Sequence, residues 1–264
     1  MTARLLVVGG GRMGEALVGG LIASGWAIAP DITIVEKVDD RRAVLRERFP
    51  GVSVVVDAEP AEGVLLAVKP GDVEGACRAI AAAGAERVLS IAAGVPVARL
   101  EAALGSGVRV VRAMPNTPAL VGEGAAAIAP GTTAEEADLD WAASLLSAVG
   151  SVVRVPEPLL DAVTGLSGSG PAYVFLVAEA LIEAGVLAGL PRDVATTLAV
   201  QTLVGSAALL ARGEAPEALR AAVTSPGGTT AAGLRVLESR AVRAAFLDAV
   251  AAATERAREL GASG

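Results

Sequence analysis

Gly9-Gly10-Gly11-Arg12-Met13-Gly14 follows four apolar residues, Leu5 to Val8, and opens a stretch of helical character. Read as G-x-G-x-x-G, it sets Gly9, Gly11 and Gly14 in the positions of a dinucleotide-binding turn, with Gly10, Arg12 and Met13 between them. Gly9 permits the tight turn, and Gly11 lets the backbone approach a pyrophosphate. Gly14 lets the helix pack close to the strand, so that its N-terminus faces the anion. The alternative is a glycine-rich turn that holds no dinucleotide. Glu36 comes 22 residues past Gly14, at the end of a second apolar run. A carboxylate there binds the adenosine 2′-hydroxyl of NAD and repels the 2′-phosphate of NADP. Lys37, Arg41 and Arg42 follow and can equally hold a phosphate or simply charge a helix start, so NADPH and NADH both stay open.

Three further blocks end apolar runs, where ligands sit in a parallel sheet. Ala67-Val68-Lys69-Pro70 is the first. Lys69 is one of only two lysines in the chain and reads as a ribose contact or an ordinary surface charge. Ser90-Ile91-Ala92-Ala93-Gly94 has residues small enough for a nicotinamide to lie against the backbone. Met114-Pro115-Asn116-Thr117-Pro118 offers Asn116 as a polar contact. Later, Ser167 to Pro171 and Thr224-Ser225-Pro226-Gly227-Gly228-Thr229-Thr230 each precede a helix. The second pairs glycines and hydroxyls with a helix N-terminus, which suits a small carboxylate. Plain N-capping with a flexible turn is its alternative.

The elements that must position these groups change character once. Up to residue 155, apolar runs at 5–8, 32–35, 52–56, 64–68, 88–91, 108–111 and 125–128 alternate with helical stretches at 13–24, 39–49, 72–83, 97–104 and 134–149. Several runs are continuous, as in strands covered on both faces, and the alternation predicts a parallel, doubly wound sheet. Thr133 with Glu136 has the spacing of a capping pair. After Pro156 and Pro158 only helices are expected, at 161–166, 172–187, 192–211, 216–223, 231–238 and 242–260. The expected fold is α/β, with a Rossmann-type dinucleotide domain over 1–155 and an all-α domain over 156–264. The helices of the second part are too apolar for a solvated monomer, which points to a subunit interface.

Composition removes whole chemistries. The chain has 264 residues, no histidine and one cysteine, Cys77. Ser-His-Asp and Cys-His catalysis, His-ligated metals, internal disulfides and Cys-rich zinc sites are all excluded. There are 14 basic and 18 acidic residues up to 155, and 8 and 11 beyond it, for a net charge of −7. With 2% aromatics, neither half suits nucleic acid. Thr196 to Ala211 is 16 residues without a charge, short of the roughly 18–20 that span a membrane, and it reads as a helix buried by a subunit partner. With one cysteine and no targeting segment at Met1, a cytoplasmic location is expected.

Gly9–Gly14, Ala67–Pro70, Met114-Pro115-Asn116, Asp161–Thr164 with Ser167–Tyr173, and Val223–Thr230 with Leu237-Glu238 together resemble the pyrroline-5-carboxylate reductases. The resemblance covers nearly the whole chain, and Ser-Pro-Gly-Gly-Thr-Thr is its most specific part. It implies reduction of the cyclic imine 1-pyrroline-5-carboxylate to L-proline with NAD(P)H, usually NADPH, as the last step of proline biosynthesis. It also implies a Rossmann domain followed by an α-helical dimerisation domain, with homodimers often assembled into decamers. Carried over by position, Gly9–Gly14 would hold the pyrophosphate, and Ala67–Pro70 with Ala92 and Ala93 would line the nicotinamide side. Ser225, Gly228 and Thr229 would bind the substrate carboxylate, and Thr230 the ring nitrogen. Glu157 and Glu214 match acidic positions near the site. The chain departs from the family at Ala215, where a histidine is common, and over Leu219–Val223, which lacks the usual Asp or Asn. A β-hydroxyacid dehydrogenase would need a lysine in the second domain, and both lysines here, Lys37 and Lys69, lie in the first.

Overall fold

The structure is a computed structural model that describes residues 3–262. Eight strands form one sheet: β1 (Leu5–Val8), β2 (Ile32–Val35), β3 (Ser53–Val55), β4 (Val64–Leu66), β5 (Arg87–Ser90), β6 (Arg109–Met114), β7 (Gly124–Pro130) and β8 (Gly150–Arg154). Their order is β3-β2-β1-β4-β5-β6-β7-β8. Helices α1 (Arg12–Ala23), α2 (Asp39–Arg48), α3 (Val73–Ala82), α4 (Val97–Leu104) and α5 (Glu136–Leu146) connect them.

Strand β1 shows why the sheet is buried on both faces. Leu5 and Val7 enter one apolar cluster with Leu17, Leu21 and Trp141. Leu6 and Val8 enter the other with Leu66, Ile80 and Leu100. Alternate side chains of one strand thus feed two cores, and a run apolar at every position is the result. The order reverses about β1, which pairs with β2 on one side and β4 on the other. A crevice opens at such a reversal, beyond the carboxyl ends of the strands.

Two expectations need correction. The sheet is not wholly parallel: β7 runs antiparallel to β6. Only nine residues, 115–123, join them, too few for a crossover helix. Strand β8 follows β7 in parallel through α5. The cap of α5 is not Thr133 with Glu136. Glu135 is the N-cap, and its N–H donates to Asp138 Oδ2 at 3.0 Å.

Beyond the sheet lie α6 (Leu160–Val163), a π-helical turn (Thr164–Gly168), α7 (Gly170–Leu187), α8 (Arg192–Leu210), α9 (Pro216–Ala222), α10 (Thr229–Ser239) and α11 (Val242–Ala262). The described chain clusters into two compact units. The first comprises residues up to Ser169 together with those from Ala251 on, and the second is Gly170–Val250. Leu160 packs with Ala127 and Ala129 of β7, which ties α6 to the sheet.

In the second unit α7 and α8 meet through small residues: a Cβ on Gly185 would lie 3.0 Å from that of Ala195. Helix α8 buries only Ala195 and Ala199, and α7 buries nothing. The span 192–210 is longer than the uncharged stretch from 196, and by length and composition it reaches membrane-spanning size, as does 157–187. Phe175, Leu176, Leu187 and Leu198 are exposed on α7 and α8.

Candidate active site

The turn from β1 into α1 is built by contacts that only glycine tolerates at two positions. Gly9 has φ +107°, and a Cβ on it would lie 2.6 Å from the carbonyl oxygen of Ala67. A Cβ on Gly14 would lie 2.2 Å from the carbonyl oxygen of Gly9, so α1 rests directly on the turn. Nothing lies within 4 Å of a Cβ on Gly11, where the backbone faces open space. Glu15 N–H makes the first helical bond, to Gly11 O at 2.9 Å. The N–H groups of Arg12, Met13 and Gly14 precede it, have no acceptor within the helix, and carry the positive end of its dipole. This cradle fits a pyrophosphate.

Glu36 stands beside it. Its Oε2 accepts the Gly10 N–H at 3.1 Å and its Oε1 the Val38 N–H at 2.9 Å. The first two arginines that follow it on α2 are committed elsewhere. Arg41 Nε donates to Gly10 O at 2.7 Å, and its guanidinium pairs with Glu15. Arg42 donates to the carbonyls of Glu36 and Lys37 at 2.9 and 2.8 Å and pairs with Asp39. Lys37 is exposed. A cleft of about 450 Å³ runs from Gly9 past Glu36 and Val38 to Asp57, Val68 and Lys69. Its size and apolar walls suit an adenosine.

A second cleft, about 390 Å³, lies beyond β4 and β5, among Pro70, Gly71, Ala93, Gly94, Asp161 and Thr164. Ala92 is buried and Ala93 exposed at its edge. Asn116 and Glu157 line neither cleft. Asn116 Oδ1 accepts the Ala125 N–H at 2.8 Å, and Nδ2 donates to Ser167 O at 3.1 Å, so the side chain ties β7 to the π-helical turn. Glu157 Oε1 accepts from Arg112 at 2.9 Å and from the Val97 N–H at 2.7 Å. It caps α4 and neutralises a buried arginine. Sequence reading gave Arg112, Asp57, Asp161 and Thr164 no place at a cleft or an ion pair; only Asp161 and Thr164 carried a signal, as part of a family block.

In the second unit, Thr224–Gly228 leads into α10 with Gly228 as N-cap. Gly228 N–H turns back to Ser225 O at 3.1 Å, and a Cβ there would lie 2.4 Å from Ser225 Oγ. Glycine therefore lets the hydroxyl close over the turn. Ala232 N–H bonds Gly228 O at 3.2 Å, which leaves the N–H groups of Thr229, Thr230 and Ala231 ahead of the helical ladder. Glu214 is exposed between α8 and α9.

Residues 157–260 match the model described as pyrroline-5-carboxylate reductase dimerisation, and residues 4–94 match one described as NADP oxidoreductase, coenzyme F420-dependent. The pyrroline-5-carboxylate reductase of Mycobacterium tuberculosis is 46% identical, over 98% of this chain and 97% of that protein. The chain belongs to the pyrroline-5-carboxylate reductase family. The solved reductase of Coxiella burnetii superposes with a TM-score of 0.92 at 38% identity, covering 98% of this chain and 99% of that one. That of Plasmodium falciparum, solved with NADP bound, gives 0.84 at 29%, covering 98% of each. Membership makes the chain an NAD(P)H-dependent oxidoreductase with a Rossmann-type domain and a helical dimerisation domain that forms homo-oligomers.

Proposed function

We propose that this chain reduces 1-pyrroline-5-carboxylate to L-proline as a homodimer, with a decamer built from five such dimers as the larger assembly, in the cytoplasm. The observation that carries the reading is the hydroxyl-lined start of α10 in a chain with no histidine and no lysine beyond Lys69. Such a site meets a carboxylate with helix N–H groups but holds no base for oxidising an alcohol.

A protonated cyclic imine accepts hydride at carbon and keeps its proton on nitrogen, so the protein needs to bind, orient and exclude water. The nicotinamide, when bound, supplies the hydride. Gly9–Gly14 hold the pyrophosphate with the first N–H groups of α1, and Glu36 meets the adenosine ribose beside Val68 and Lys69. Pro70, Ala92 and Ala93 offer small walls for the nicotinamide. Ser225 Oγ and the N–H groups of Thr229 and Thr230 hold the substrate carboxylate, with Gly228 shaping the turn. Thr230 Oγ accepts the proton on the imine nitrogen as a hydrogen bond and so orients the ring. Positioning of the imine, rather than acid–base catalysis, is what these residues would contribute to the rate. Glu157 acts through position, fixing Arg112 and the start of α4, while Asn116 braces β7. Glu214 is assigned to the rim of the substrate site.

Loss of reduced-nicotinamide absorbance on adding pyrroline-5-carboxylate tests the reaction, with proline identified as the product. Turnover of this imine in preference to other cyclic imines is the expected result. Cofactor binding without turnover of any imine would instead make the chain a dinucleotide sensor.

A further inference from the structure

Resting on that reading, we infer that Glu36 makes this enzyme select NADH over NADPH. Glu36 ends β2 and is pinned by two backbone donors, Gly10 N–H and Val38 N–H, one on each oxygen. It is held against the adenosine cleft and cannot turn to solvent without abandoning both bonds. Each carboxylate oxygen keeps lone-pair capacity to accept a ribose hydroxyl. A 2′-phosphate brings a second anion and acceptor oxygens to the same place, with close to two negative charges near neutral pH.

The first two arginines that follow Glu36 on α2 are already turned to other partners. Arg41 is turned to Gly10 O and Glu15, and Glu15 also meets Arg48 at 2.8 Å. Arg42 is turned to two carbonyls and Asp39. The charged groups lining the cleft are Lys37 and Lys69 against Glu36, Asp57 and Asp72. Two ammonium groups face three carboxylates, which is the wrong balance for a phosphate monoester and suits an uncharged diol.

Calorimetric titration of the assembled enzyme with NADH and NADPH, and with 5′-AMP and 2′-AMP as fragments, reads the selection without any imine. Steady-state kcat/KM with pyrroline-5-carboxylate reads it in turnover. The expected preference for NADH is roughly 10- to 100-fold in both, the scale of one close like-charge juxtaposition. Glu36→Gln keeps an oxygen acceptor and removes the charge, so the NADH/NADPH ratio should fall at least about 10-fold, largely through tighter NADPH. Arg42→Ala should leave the ratio unchanged. Equal or tighter NADPH binding by the wild type overturns the inference, and this comparison does not depend on any variant folding. A ratio unmoved by Glu36→Gln, or a selective loss of NADPH in Arg42→Ala, overturns it as well. Tighter binding of NADH with no reduction of pyrroline-5-carboxylate would sink the proposed reaction and leave the cofactor selection standing.

Discussion

Thr230 is given a positioning contact to the imine nitrogen, and a hydroxyl of ordinary acidity is a poor general acid. Thr230→Ala should therefore lose roughly 10- to 100-fold in kcat, the scale of a lost orienting bond. Full activity in that variant would remove Thr230 from the substrate site. Cys77 is a quieter residue. It is buried on α3, and burial, with Arg78 pulling down and Glu74 pushing up, raises its thiol from 9.0 to about 11. The native protein should resist a thiol reagent at pH 8 and react once unfolded. The folded thiol keeps its proton longer than the unfolded one, so stability is lost as pH rises through the window from about 9 to 11. Thermal midpoints measured across that window should fall more steeply in the wild type than in Cys77→Ala. Other residue assignments divide sharply. The glycines of the first turn were legible because their spacing is a local pattern of six residues, although Gly9 also makes room for the carbonyl of Ala67. The partners of Arg41, Asn116 and Glu157 were not, because each of these side chains reaches a group tens of residues away.

At the scale of elements, the contact between α1 and β1 is the one that the cofactor cradle depends on. A methyl group at residue 14 would lie 2.2 Å from Gly9 O, so Gly14→Ala must push the helix N-terminus away from the turn. Its KM for cofactor should rise at least about 10-fold with a lower Tm, because an ångström of displacement costs a site of this kind about 100-fold. An unchanged KM would mean that the N–H groups of α1 do not hold the pyrophosphate. Strands β1 and β2 match the apolar runs residue for residue, and most helix limits fall within two residues. That agreement follows from burial on both faces, which writes a strand as an unbroken apolar run. The direction of β7 was not written that way. Strand direction follows from connection length, and the short 115–123 segment carries no hydrophobic signal of its own.

For the whole molecule, the open question of partners is answered by apolar surface. Phe175, Leu176 and Leu187 are 62%, 65% and 91% exposed within one chain, on helices that bury almost none of their own residues. Homo-oligomerisation covers such a face. Charging it with Leu176→Glu and Leu198→Glu together should shift the sedimentation of the enzyme to smaller species and lower its activity. An unchanged assembly would place the subunit interface on other helices. Sequence alone determined the element types, the dinucleotide turn, the chemistries that a chain without histidine cannot perform, and the apolar excess of the second half. These are local or compositional properties, set by periodicity and by which residues are present. Only the tertiary structure decided that Arg41 and Arg42 brace the turn, that Glu36 is pinned with both oxygens against the adenosine cleft, and that Glu157 serves Arg112. Those outcomes depend on which groups the folded sheet brings within hydrogen-bond reach of each charge, and residue spacing does not encode that distance.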